Sequence, residues 1–181
     1  MQYHRVIPEY TLVKGYLQVY TGNGKGKSTA AFGLALRGRG AGLRVKIVQF
    51  IKNKEYSETR ILRDIGVTVM QFGQGLFFGR PPEDADFKAA DEGLQEAAAS
   101  FREEDTDILI LDEINVALGL GLIQEEPFLK LIGKKPSSME LICTGRRAPE
   151  KLLELADLVT EMKAVKHYYK AGVPARTGIE K

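Results

Sequence analysis

The sequence predicts an α/β fold of three layers, a mainly parallel sheet of about six strands with helices on both faces. Three observations carry this. Short apolar, β-branched runs alternate with stretches of helical periodicity along the 181 residues. A glycine-rich loop, Thr21-Gly-Asn-Gly-Lys-Gly-Lys-Ser28, joins the first apolar run directly to the first helical stretch. A later apolar run ends in the paired carboxylates Asp112 and Glu113.

Residues 16–20 read as a buried strand that runs into the glycine loop. Residues 27–39 follow as a helix, with Ala30, Ala31, Leu34 and Ala35 as a close-packing face and Gly38, Gly40 and Gly42 to stop it. Residues 44–51 are rich in Val and Ile and form the second strand. A short helix at 57–65 takes Ser57 as its N-cap, and residues 67–72 give the third strand. From 73 to 84 the rhythm breaks into a loop that carries Leu76, Phe77 and Phe78. Phe87, Ala90, Leu94, Ala97, Ala98 and Phe101 then recur at helical spacing and mark one amphipathic helix. Strands are expected at 107–111, 139–144 and 158–162. Helices are expected at 125–132, closed by Gly133 and Pro136, and at 149–155, where Pro149 suits the first position. With no repeat or linker, residues 15–181 read as one domain behind an N-terminal extension at 1–14.

Composition excludes several function classes. A net charge of +2 gives no bulk attraction to nucleic acid or membrane, so any anion site must be local. The single Cys143 has no intrachain disulfide partner and fits a cytoplasmic protein. Neither a signal-peptide pattern nor an apolar run of spanning length is present. His4 and His167 stand far apart, with no neighbours at metal-ligand spacing.

Backbone N–H groups at a helix start, with Lys25 and Lys27 beside them, make a polyphosphate site. The usual template G-x-x-x-x-G-K-[ST] would place glycine at position 21; this chain has Thr21, and its glycines stand at 22, 24 and 26. A plain glycine turn ahead of a helix is the structural alternative, disfavoured by the strand before, the helix after and the carboxylates downstream. Ser28 can offer its hydroxyl to Mg²⁺, and Asp112 and Glu113 can order the same ion from the neighbouring strand end. Capping of the following helix is the alternative for those two. Arg146 and Arg147 follow the fifth strand, with Arg146 the better placed for a phosphate contact and two solvated arginines the competing reading. Leu76, Phe77 and Phe78 are either a cover over a large planar ligand or a loop tucked into the core. No Ser/His/Asp or Cys/His nucleophile set is present.

Several segments together resemble one family, the ATP:cob(I)alamin adenosyltransferases of the CobA/CobO/BtuR type. They are residues 19–31, Val48-Gln-Phe-Ile-Lys52, Ile110-Leu-Asp-Glu-Ile-Asn115, Thr144-Gly-Arg-Arg-Ala-Pro149, residues 156–162, Lys166-His167 and Gly178-Ile-Glu180, in family order and spacing. The resemblance implies a P-loop NTPase-like fold of RecA type, a homodimer, and ATP held in a reversed sense. The 5′-deoxyadenosyl group then passes to the cobalt of reduced cob(I)alamin or a precursor such as cob(I)yrinic acid a,c-diamide, and triphosphate leaves. In this reading Thr21, Gly22, Asn23, Gly24, Lys25, Gly26, Lys27, Ser28 and Thr29 bind ATP. Lys25, Lys27 and Arg146 act on the leaving group, Ser28 with Asp112 or Glu113 serves Mg²⁺, and Leu76, Phe77 and Phe78 meet the corrinoid. A flavoprotein or similar electron donor is implied, and neither nucleic acid nor membrane. The family commonly has Phe-x-Trp in the loop after the third strand, whereas this chain has Leu76-Phe77-Phe78 and no tryptophan. The competing readings are a P-loop ATPase or kinase acting at the γ-phosphate and a non-catalytic ATP-dependent corrinoid chaperone.

Overall fold

The computed structural model describes residues 12–75, 80–103 and 105–180. Its elements run β1 (Leu17–Thr21), α1 (Lys27–Gly40), β2 (Val45–Phe50), α2 (Ser57–Asp64), β3 (Thr68–Phe72), α3 (Asp84–Glu103), β4 (Ile108–Asp112), α4 (Ile114–Gly119), α5 (Glu125–Ile132), β5 (Glu140–Thr144), α6 (Glu150–Leu155) and β6 (Leu158–Glu161). A single 3₁₀ turn, Tyr168–Ala171, follows.

The strands form one six-stranded sheet in the order β3-β2-β4-β5-β1-β6, and every pairing is parallel. Period-two alternation divides its side chains between two cores. In β4, Ile108 and Ile110 join Ala31, Phe32 and Ala35 of α1 and Leu62 of α2. Leu109 and Leu111 join Ala90 and Ala97 of α3, Ile114 of α4, Phe128 of α5 and Leu152 of α6. Burial on both faces explains why the central strands read as continuous apolar runs. The first strand lies between β5 and β6, neither of them its neighbour in sequence, so the loop after it opens at a switch point on the carboxyl edge.

Several local expectations change. Gly38 and Gly40, expected to stop α1, lie inside it, and Pro149 is the residue before α6 rather than its first. Ser57 is the first residue of α2 rather than its cap; Tyr56 precedes it in extended conformation. There Thr59 Oγ1 accepts from the Tyr56 N–H (3.3 Å) and donates to the Tyr56 carbonyl (2.8 Å), so a buried hydroxyl one turn in does the capping. The six-residue helix α4 is additional to the expected elements. It is too short for periodicity to reveal.

Candidate functional site

Thr21 ends β1 and is knitted to two neighbours. It pairs with Glu161 of β6, its carbonyl accepts from the Met162 N–H at 2.8 Å, and its hydroxyl accepts from the Ala148 N–H at 3.2 Å. The position where the generic loop has glycine is therefore the last rung of a ladder. The glycines answer a different demand. A Cβ on Gly22 (φ 96°) would lie 2.5 Å from the Met162 carbonyl oxygen, and one on Gly24 would lie 2.6 Å from it. The Gly24 N–H donates to that same carbonyl at 2.6 Å. The chain leaving β6 thus forms the outer wall of the loop, and only glycine permits the approach.

Lys27 faces the inner wall. Its ammonium spans the loop, donating to the carbonyls of Gly22 (2.8 Å) and Gly24 (2.7 Å). Burial lowers its pKa; Glu113 and Asp112 oppose the shift, while Arg146 adds to it. The first helical bond of α1 runs from Ala30 to Gly26 (2.7 Å). The N–H groups of Lys27, Ser28 and Thr29 therefore precede the i→i−4 ladder and point out of the helix start.

At the carboxyl end of β4, Asp112 is fully buried. Its Oδ2 accepts from Lys52 Nζ (2.7 Å) and Gln49 Nε2 (2.9 Å), and its Oδ1 from Thr144 Oγ1 (2.8 Å). Gln49 is oriented in turn by Gln71, whose amide donates to Gln49 Oε1 (2.9 Å) and to the Lys54 carbonyl (2.8 Å). Burial alone would raise the Asp112 carboxyl. The Lys52 charge and the hydrogen bonds from Lys52, Ser28 and Gln49 outweigh it and hold the group below the usual carboxylate range. The Glu113 side chain moves the other way: burial first, then the neighbouring Asp112 charge, raises its carboxyl, against Lys52, Lys27 and Arg146. Two adjacent carboxyls are thus driven apart, one kept ionised and the other made readier to hold a proton.

The backbone also marks this edge. Among the described residues the non-glycine positions at positive φ are Ile51 (69°), Glu113 (64°) and Arg147 (57°). They follow β2, β4 and β5 at the same end of the sheet. Such conformations cost energy and gather where the backbone must aim side chains. The turn after β5 sends its two arginines to different places. Arg146 is near enough for its charge to act on Lys27 and Glu113. Arg147 lines a cleft of about 340 Å³ with Thr21, Gly22, Asn23, Ala148, Leu153, Val159 and Glu161. The turn is braced by Asn115 Nδ2, which donates to the Gly145 carbonyl at 3.2 Å.

Of the residues singled out in the sequence, Lys27, Ser28, Asp112, Glu113 and Arg146 form one cluster. Asn23 and Thr29 are exposed on the loop and at the helix start. Lys25 turns outward to the C-terminal segment, donating to the Ile179 carbonyl at 2.7 Å. Leu76, Phe77 and Phe78 lie outside the described residues. Gln49, Lys52, Gln71 and Thr144 were missed as site residues. The available signal was a glutamine near the carboxyl end of β2 and a lysine just beyond it, after the apolar pair Ile47-Val48. No cluster of three or more His, Cys, Asp or Glu side chains suited to a metal occurs among the described residues. No helix among them is long and apolar enough to cross a membrane.

Comparison with known proteins gives a consistent answer. Residues 13–180 match the family described as ATP:corrinoid adenosyltransferase BtuR/CobO/CobP. A corrinoid adenosyltransferase of Pseudomonas aeruginosa is 37% identical over 92% of this chain and 84% of its own length. One from Escherichia coli K12 is 36% identical over 92% and 86%. The corrinoid adenosyltransferase CobA of Salmonella typhimurium is 34% identical over 92% and 86%. Among solved structures, a KaiC-like protein of Pyrococcus horikoshii superposes with a TM-score of 0.50 at 17% identity, covering 82% of this chain and 73% of the other. That likeness speaks for the fold alone.

Proposed function

This chain belongs to the ATP:corrinoid adenosyltransferase family, and from that premise we propose how its own residues perform the transfer. The cobalt of a reduced corrinoid attacks C5′ of ATP with its electron pair. The C5′–oxygen bond breaks, and triphosphate departs with the bonding electrons. The nucleophile belongs to the substrate, so this mechanism asks for no nucleophile from the protein. The protein's tasks are alignment of cobalt and C5′ and stabilisation of the charge that grows on the leaving group.

The observation that supports this reading is the inner-wall cluster: a loop lysine, a helix start, Arg146 and two carboxyls of opposite tendency meet at one sheet edge. Lys27 exchanges the Gly22 and Gly24 carbonyls for phosphate oxygens. The N–H groups of Gly22, Asn23, Gly26, Lys27, Ser28 and Thr29 receive the chain of phosphates, with Thr21 fixing the loop's base. Arg146 meets the phosphate next to the breaking bond. The residues fit a divalent ion of the Mg²⁺ type, which takes one or two carboxylates and completes its shell with phosphate and water. Asp112 is saturated by Lys52, Gln49, Thr144 and Ser28, so Glu113 and the Ser28 hydroxyl are the groups open to the ion. When bound, it would supply positive charge to the departing triphosphate. Residues 76–78 are assigned to the corrinoid face, residues 15–181 to the catalytic domain and 1–14 to an extension. A homodimer in the cytoplasm, supplied by a flavoprotein or similar electron donor, completes the reading.

Supplied with reduced cobalamin and MgATP, the protein should form a light-sensitive cobalt–carbon product and release one triphosphate per turnover. ADP or orthophosphate as the main product would overturn the mechanism in favour of γ-phosphate chemistry.

A further inference from the structure

Residues 167–180 close into a small knot whose clasp is Glu180. Its Oε2 accepts from the Arg176 N–H (2.9 Å) and Nε (3.3 Å), and its Oε1 from Arg176 Nη2 (3.1 Å) and the Tyr168 hydroxyl. The Arg176 guanidinium lies 5.0 Å over the Tyr168 ring. His167 Nδ1 accepts from the Tyr169 N–H at 3.2 Å, capping the 3₁₀ turn inside the knot. The knot is built largely of contacts within itself, and it delivers two groups to the phosphate loop. The Ile179 carbonyl accepts from Lys25 Nζ at 2.7 Å, and the Glu180 carboxylate stands 3.9 Å from the same nitrogen.

Lysine is a flexible stem with three donors, and an exposed one in a glycine loop has little to hold it in one rotamer. Here the knot supplies the hold. The backbone carbonyl accepts one of the three ammonium N–H donors and leaves two for an incoming anion. The Glu180 charge is largely committed to Arg176 and Tyr168, which hold its carboxyl down at about 2, so its neutralisation of Lys25 is weak. We propose that Glu180 and the Ile179 carbonyl are positioning groups that hold Lys25 at the loop rim, so that the C-terminal knot sets the affinity for polyphosphate. This rests on the reading that the loop binds the triphosphate. It adds a role for a segment remote from the chemistry, and acts through binding rather than through the transfer step.

The test is calorimetric binding of inorganic triphosphate with Mg²⁺ to the full chain, alongside steady-state kinetics. Glu180→Gln and, independently, Arg176→Ala should each weaken triphosphate binding roughly tenfold, the coupling expected of one contacting pair. The KM for ATP should rise in parallel while kcat at saturating ATP and the corrinoid KM stay within about twofold. Lys25→Ala should show the same loss, and adding Glu180→Gln to it should cost nothing further. A merely structural role would give losses that persist in the Lys25→Ala background, and that overturns the inference. Tighter binding in Glu180→Gln, meaning that the knot competes with the anion, overturns it as well, as does unchanged binding with Lys25→Ala weakened. If wild type fails to bind triphosphate, or Lys25→Ala binds it as wild type does, the loop reading itself fails and takes this inference with it.

Discussion

The two walls of the phosphate loop differ in kind. The inner wall is a cluster of charges around the buried Lys27 and Asp112, with Lys52 and Glu113 half-buried and Arg146 exposed at its edge, assembled at the ends of β2, β4 and β5. The outer wall is backbone: Gly22 and Gly24 against Met162, with Lys25 reaching an exposed segment beyond it. In the first, a low dielectric makes each charge strong and each missing partner costly. In the second, shape decides and the charges are screened by water. The contrast teaches that the same five-residue turn is held by two separate economies, one electrostatic and one steric.

The largest effect is expected at Lys52→Met, which leaves Asp112 buried with an uncompensated charge. Stability should fall by about 3–5 kcal/mol in denaturant unfolding, and Asp112→Asn in the same chain should recover part of it. A loss below about 1 kcal/mol would mean that the inner wall is not held by this pair. Lys27→Ala should lower kcat/KM for ATP by at least a hundredfold, about 2.7 kcal/mol of transition-state stabilisation, with the fold retained. Near wild-type turnover would remove the inner wall from the reaction.

On the outer wall, Gly24→Ala sets a Cβ 2.6 Å from the Met162 carbonyl oxygen. It should cost roughly 1–3 kcal/mol of stability, the range for forced backbone shifts and overpacking. Gly33→Ala in α1 is its control: a Cβ there meets nothing within 4 Å, and the change should stabilise by about 0.5–1 kcal/mol. The smallest effect is electrostatic. The folded protein holds the Glu113 carboxyl above its ordinary value, so the stability tied to its protonated form is complete below the unfolded value, about 4.3, and is lost as pH rises through the folded one. Glu113→Gln abolishes that loss. Its Tm advantage over wild type should be absent near pH 4 and grow to a few degrees toward neutrality, while transfer activity falls. An advantage that grows toward acid would reverse the assignment.

Much of this was legible in the residues. Helix α5 falls at 125–132 as its periodicity and closing Gly133 require, and the strands fall within a residue or two of their expected places. The paired carboxylates end their strand at the expected edge, with Asp112 as its last residue. The loop glycines were identified for the anion they could cradle, and their contact with Met162 was invisible because some 140 positions separate the partners. Thr21 reads as a departure from a template until β6 is laid beside it. The donors around Asp112 come from Gln49 in β2, Lys52 just beyond it and Thr144 in β5, and each looks like an ordinary polar residue near a strand end.

The sequence alone determined the alternation of strands and helices, the phosphate loop and the carboxylate pair. These follow from local periodicity and short-range stereochemistry, which any window of the chain contains. Only the tertiary structure decided which of the two carboxyls is held ionised, that the Arg146 charge reaches the loop lysine while Arg147 lines a cleft on the side of the loop formed by Thr21, Gly22 and Asn23, and that Lys25 turns to the C-terminal segment. Those outcomes depend on which distant strand ends the sheet order places side by side, and on the burial that results. Neither quantity exists until the chain is folded.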